Sequence, residues 1–203
     1  MLGGLKVYNL ILILGLFTSL FSSNEEVILN HSYLDTQIQM SVDNFESEVN
    51  EYKDYLKELE YKRTHFFKGE SSEVIAKKID NFMHSTLKGK GKFITEYSLS
   101  IGLDPYLAAS VMLQETGCYW TCSRLTRSCN NVGGNKGKPG CNGGSYRKFD
   151  TLEEGMKFAM KKLNNYYKKG YTTAAQINPF YATDKTWHEK VQRYYNRIKK
   201  TKV

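Results

Sequence analysis

The stretch SVMLQETGCYWTC, residues 110–122, ends a small and apolar run in a carboxylate, Glu115. Leu107, Ala108, Val111 and Met112 recur at helical spacing, and Glu115 follows Val111 by four residues and Ala108 by seven. On a helix that places Glu115 on the inward face, at the C-terminal end. Burial disfavours the ionised carboxylate, and the negative end of the helix dipole acts in the same direction. A carboxylic acid held protonated near neutral pH is a general acid, and cleavage of a glycosidic bond needs one to protonate the leaving oxygen. The competing reading is a frayed helix end with Glu115 turned outward in a surface ion pair, and the pattern alone weighs the two equally.

Four cysteines, Cys118, Cys122, Cys129 and Cys141, follow within one short stretch, spaced C-x3-C-x6-C-x11-C. Tetrahedral zinc sites commonly use C-x2-C pairs, so no metal is expected, and no cofactor. Two disulfides are the better reading in an exported chain. Of three connectivities, the pairing of nearest neighbours, Cys118–Cys122 and Cys129–Cys141, is expected. No cysteine stands at a helix start, where a reactive thiol would be activated. Of the histidines only His188 falls in the second half. A Cys–His protease is therefore a weak rival.

The elements that must position Glu115 announce themselves through caps. Asp104 suits the N-cap and Pro105 the first helical position of LDPYLAASVMLQETG, and Gly117 suits its C-terminal stop. Before it, FFKGESSE (66–73) breaks a helix, and Ser71 or Ser72 can cap a new one carrying Val74, Ile75, Ile79 and Phe82. After it comes a glycine-rich loop, residues 130–149, expected to form a small hairpin or extended loop with SYRKF as one strand. Leu152, Met156, Ala159, Leu163 and Tyr166 mark one later helical face, with Asp150 as cap and Glu153 as capping-box partner. Trp187, Val191, Tyr194 or Tyr195, and Ile198 mark the last, which Asp184 is expected to cap.

The N-terminal third differs in kind. VYNLILILGLFTSLF (7–21) is short for a full membrane span and is followed by SSNEE, as in an export signal or a retained anchor. Ile38, Val42, Phe45, Val49, Tyr52, Leu56 and Leu59 then alternate steps of four and three. That heptad stripe implies a long coiled-coil-like helix, a stalk with a face for a homodimer. The net charge is +8, and residues 115–203 hold 18 Lys/Arg against 6 Asp/Glu. A basic half suits an anionic wall polymer, and a specific nucleic-acid role does not suit the leader or the cysteines.

Four motifs then occur in order. DPYLAASVMLQETG (104–117), CNNVGGNKGKPG (129–140), SYRKFDTLEEGMKF (145–158) and NPFYATDKTWHEKV (178–191) together resemble the bacterial glucosaminidase domain of cell-wall autolysins, from about Leu87 to Lys200. The resemblance implies a mainly α, lysozyme-like domain with a small β-hairpin or loop region, preceded by an apolar N-terminal helix and the heptad helix. Together with the apolar leader and the heptad stripe, it gives expected boundaries at 1–23 (signal or anchor), 24–66 (stalk) and 67–203 (glucosaminidase domain), in an extracytoplasmic protein that is membrane-anchored or secreted to the wall. It implies Glu115 as general acid and Tyr181 near the cleaved sugar. Asn131, Gly133, Gly134, Lys136, Tyr146 and Trp187 would line the saccharide cleft. The substrate would be the β-1,4 glycan strand of peptidoglycan, cut most naturally by an endo-β-N-acetylglucosaminidase. A muramidase or lytic transglycosylase on the same fold, or a non-catalytic wall scaffold, are the alternatives.

Overall fold

A computed structural model describes residues 31–203; the expected signal or anchor, residues 1–23, lies outside them. Among the described residues no helix is long and apolar enough to cross a membrane. The chain divides into two compact units between Lys53 and Asp54. The division falls inside helix α1 (His31–His65), so the expected long helix is present. Its heptad residues Ile38, Val42, Phe45, Leu56 and Leu59 are all exposed.

After α1 comes a hairpin that the sequence does not announce. Strands β1 (Phe66–Phe67) and β2 (Glu70–Ser71) pair antiparallel. Lys68 and Gly69 between them both have positive φ, 50° and 84°. Positive φ at both central residues is what a type I′ hairpin turn requires, and glycine meets it without steric cost. The helix breaker expected here is thus the only named two-stranded sheet among the described residues. The glycine-rich loop makes no strand from SYRKF. It holds two isolated bridges, Lys136 with Tyr146 and Gly140 with Arg147.

Ser71 then caps α2 (Ser72–Asp80), its Oγ accepting from the Val74 amide at 3.4 Å. Helix α3 (Gly91–Ser100) lies close against α2, since a Cβ on Gly91 would stand 2.3 Å from the Ala76 carbonyl oxygen. Helix α4 (Pro105–Thr116) is the centre of the core. Asp104 accepts from the Tyr106 and Leu107 amides at 2.9 and 3.2 Å, and Gly117 ends the helix at φ 67°. The expected inward stripe understates this helix: every residue from Pro105 to Leu113 is buried. A helix apolar all round must be surrounded. α2, α3 and α8 (Trp187–Lys200) pack against it, with Ile75, Ile79, Ile94, Leu113, Val191 and Ile198 fully buried.

Three further helices belong to the second unit: α5 (Arg124–Cys129), α6 (Leu152–Tyr167) and α7 (Ala174–Tyr181). α6 corrects the expected cap. Thr151, not Asp150, is its N-cap, and Glu154, not Glu153, closes the capping box. Glu153 instead pairs with Lys90 at 2.6 Å. α7 is capped the same way by Thr173 and Gln176. The disulfides join Cys118 to Cys122 and Cys129 to Cys141, the nearest-neighbour pairing. The first clasps the turn after α4. The second ties the end of α5 to the glycine-rich loop, which has little core of its own.

Asp104 does more than cap. It is 3% exposed, and its Oδ2 accepts from the Tyr195 hydroxyl of α8 at 2.9 Å. Asp104→Ala is expected to cost about 2 kcal/mol, the sum of a lost cap and a stranded buried hydroxyl. Chemical denaturation of both proteins reads the difference. A loss under about 0.5 kcal/mol would mean that water replaces both contacts.

Candidate active site

Asp104 and Gly117 fix where α4 begins and ends, and so place Glu115 in its last turn. The side chain is partly buried, as the inward reading requires. What holds it comes from 72 residues further on: the Trp187 indole N–H donates to Glu115 Oε1 at 2.9 Å. Burial pushes the Glu115 carboxyl above the ordinary glutamate range. The Trp187 hydrogen bond and the positive charge of Lys162 oppose that shift without overcoming it.

Trp187 is placed by the turn between α7 and α8. Asn178, 5% exposed, donates to the Asp184 carbonyl at 2.9 Å and accepts from the His188 amide at 3.1 Å. Asp184 folds back on the same turn. Its Oδ1 accepts from the Thr186 amide and hydroxyl, both at 2.8 Å, and its Oδ2 pairs with Lys190 at 2.7 Å. It thus binds the turn before α8, whose N-cap position is Thr186. The Lys190 and Thr186 contacts pull its carboxyl down to about 2. Asp184 is therefore ionised at neutral pH and is unsuited to donate a proton.

Tyr181, the last residue of α7, packs against Trp187 with ring centroids 4.8 Å apart and planes tilted by 33°. Burial, and then the charge of Glu115, push its phenol well above the usual range, so it stays protonated. Lys162 sits over the other side of this cluster, its Nζ 5.0 Å from the Tyr181 ring centroid.

The opposite wall is the glycine-rich loop. Gly134, at φ 58°, passes so near Glu115 that a Cβ there would lie 3.8 Å from Oε2. Beside it opens a cleft of about 600 Å³, lined by Gly134, Asn135, Lys136, Phe158, Lys161, Lys162 and Asn165. Glu115, Tyr181 and Trp187 thus lie together beside Gly134, and Gly134 and Lys136 line the cleft.

Other expected cleft residues take different places. Asn131 is 1% exposed and is spent on the loop itself. It donates to the carbonyls of Asn135 and Arg147 at 2.8 and 2.7 Å and accepts from the Gly133 and Asn135 amides. With both ends of its amide engaged, it shapes the loop rather than contacting sugar. Gly133 is buried under Asn135, whose Nδ2 would stand 2.8 Å from an added Cβ. Trp187 is 4% exposed, so its ring cannot stack on a saccharide; its N–H orients Glu115 instead. Tyr146 is 44% exposed, bridged to Lys136 across the loop. Lys162, Asn135, Phe158 and Asn178 were not foreseen. The spacing Phe158, Lys161/Lys162, Asn165 on one helical face was the available signal for four of the cleft positions.

Trp187→Phe keeps an aromatic ring and deletes the donor. A hydrogen bond to a charged group contributes about 1.5–3 kcal/mol, and one pKa unit is about 1.4 kcal/mol. The alkaline limb of the pH–rate profile should therefore move up by about one unit while the maximal rate falls. A lower rate with an unmoved limb would reduce Trp187 to packing.

The sequence profile of the Glucosaminidase family, described as mannosyl-glycoprotein endo-beta-N-acetylglucosaminidase, matches residues 91–200. No match is found among curated protein sequences. The family match begins with α3, includes Glu115, Tyr181 and Trp187, and ends with α8. With a partly buried carboxyl beside a cleft on a mainly helical, lysozyme-like frame, and with more than half of the chain matched, this protein belongs to the Glucosaminidase family of glycoside hydrolases.

Proposed function

We propose that the protein cleaves the β-1,4 glycan strand of peptidoglycan as an endo-β-N-acetylglucosaminidase, with Glu115 as its single general acid. The observation that carries this is the Glu115 carboxyl itself, raised by burial, hydrogen-bonded by Trp187 and next to Gly134 of the cleft wall. Glu115 gives its proton to the glycosidic oxygen as the C1–O bond breaks and positive charge develops at C1. The acetamido carbonyl oxygen of the same sugar attacks C1 and closes a cyclic oxazolinium. Water, losing a proton to the Glu115 carboxylate, then opens that ring, and the configuration at C1 is retained.

Substrate assistance suits the site because no carboxylate lines the cleft beside Glu115. Asp184 and Glu153 are held in ion pairs elsewhere, and Glu154 is held in a helix cap. The Tyr181 phenol, protonated and packed against Trp187, would donate to the reacting sugar. Two disulfides in the domain fit an oxidising, extracytoplasmic setting. Residues 1–23 would deliver the protein there as an export signal or an anchor.

The test is digestion of purified peptidoglycan by the full chain and by its Glu115→Gln form, with mass spectrometry of the reduced fragments. Ends in reducible N-acetylglucosamine, absent with the variant, are the expected result. Ends in N-acetylmuramic acid would make it a muramidase, and anhydro ends a lytic transglycosylase. No release by either protein would favour a wall scaffold.

A further inference from the structure

The cleft beside Glu115 is unusual for its charge. Lys136 comes from the glycine-rich loop, and Lys161 and Lys162 come from α6, so two separate elements converge with the same sign. Arg147 adds a fourth cation at the edge, its guanidinium 5.1 Å from the ring centroid of Phe158, which lines the cleft. Some lysines elsewhere in this unit meet carboxylates, as Lys78 does with Glu70, Lys90 with Glu153 and Lys190 with Asp184. Among the described residues Lys136, Lys161 and Lys162 make no such ion pair, and no carboxylate lines the cleft with them.

A solvated lysine face would account for one of these side chains. It does not account for three, drawn from two elements, that line one concave wall and give it a positive field. The cleft also offers an apolar ring, Phe158, and two amides, Asn135 and Asn165. Asn135 is 3% exposed, and its Nδ2 has no hydrogen-bond partner. That nitrogen is enclosed beside Gly133 and has no surface open to the cleft. A neutral glycan needs the ring and the amides but has no use for the ammonium groups.

We propose that this lysine-walled cleft is a subsite for an anionic substituent, a carboxylate or a phosphate, carried by the glycan close to the bond that is cut. The proposal rests on the glycosidase reading above and adds the class of glycan to it. Lys161 and Lys136 bind the anion directly. Lys162, between it and Tyr181, serves both the anion and the electrostatics of Glu115. The shared chemistry has three sources: the free lactyl carboxylate of a muramyl residue, the carboxylates of an attached peptide, and a phosphate on a sugar hydroxyl.

The experiment measures binding to the full-length Glu115→Gln protein by calorimetry, using short muramyl glycans in four forms. These are the free lactyl acid, its neutral methylamide, the peptide-bearing form and a sugar phosphate. At low ionic strength at least one anionic form should bind about tenfold more tightly than the methylamide, and the form with the largest gap names the source. Because the contacts are ionic and partly exposed, the gap should close with added salt. Adding Lys136→Gln and Lys161→Gln together should abolish the gap, while Lys168→Gln, at the end of α6 outside the cleft, should leave it intact.

Equal binding of all four forms, binding of none, or a gap that survives the double variant would overturn the subsite. Cleavage by the wild-type chain is followed in parallel. Cleavage of the methylamide without any preference would keep the glycosidase reading and discard the subsite. A preference in binding without cleavage of any form would keep the subsite and discard the catalytic reading.

Discussion

Glu115→Gln should lower the rate of glycan cleavage about a thousandfold and leave the fold intact. A positioned acid contributes about 10²–10⁴ in rate, and glutamine matches glutamate in shape but has no acidic proton. The Gln amide oxygen can still accept from Trp187 Nε1, now at 2.9 Å from Oε1, so the contact between α4 and α8 survives. Stability should change with pH in a defined sense. A carboxyl whose folded pKa is raised binds more proton in the native than in the unfolded state between the two values. Wild-type stability from this group therefore falls as pH rises through 4.5 and then through the raised native value, and it is level above that. The variant lacks this decline, so its melting temperature should equal the wild type's at low pH and exceed it near neutrality. Initial rates and thermal melts across pH 4–8 measure both effects. Undiminished cleavage by the variant would remove Glu115 from the mechanism.

Gly155→Ala should destabilise the domain by about 1–3 kcal/mol, the range for forcing atoms into a packed core. Local rules say the reverse, since alanine is preferred to glycine in a helix by about 1 kcal/mol. Gly155 lies in the first turn of α6, and an added Cβ would stand 1.8 Å from the Asn130 carbonyl oxygen and 3.4 Å from Phe149 Cδ2. Backbone occupies that space, so either α6 or the loop must move. Asn131, next in the chain, is the residue that organises Gly133 and Asn135, and Gly134 faces Glu115. The loss should therefore extend to kcat/KM, by at least tenfold, at temperatures where the variant is still folded. Denaturant titration and steady-state kinetics test the two parts separately. A variant as stable and as active as the wild type would show that the loop rides on the helix without strain.

The contrast between these two positions explains what could be read from the chain. Glu115 stood out because its signals are local. Asp104, Pro105 and Gly117 set the helix within a few residues, and a carboxylate ending an apolar run is visible without a fold. Ser71 as a cap, the faces of α6 and α8, and the disulfide pairing of near neighbours were legible for the same reason. Motifs in fixed order carried the family, since a cleft built from several loops leaves its traces at several places along the chain. The hairpin at Phe66–Ser71 was missed because two-residue strands are too short to show alternation. Thr151 prevailed over Asp150 as cap because the choice between adjacent candidates depends on where the helix must start to pack.

By itself, then, the sequence determined the helices and where most of them stop, the basic half, the family, and the carboxylate most suited to give a proton. Those properties arise from contacts within a few residues or from composition. Tertiary structure alone decided that Trp187 is a buried donor to Glu115, that Asn131 is consumed by its own loop, and that Gly155 must lack a side chain. It also decided that lysines from a loop and a helix share one wall. These are meetings of residues far apart in the chain, and only packing of α6, α7 and α8 around α4 and the loop brings them within reach, because burial and hydrogen bonding act through space rather than along the sequence.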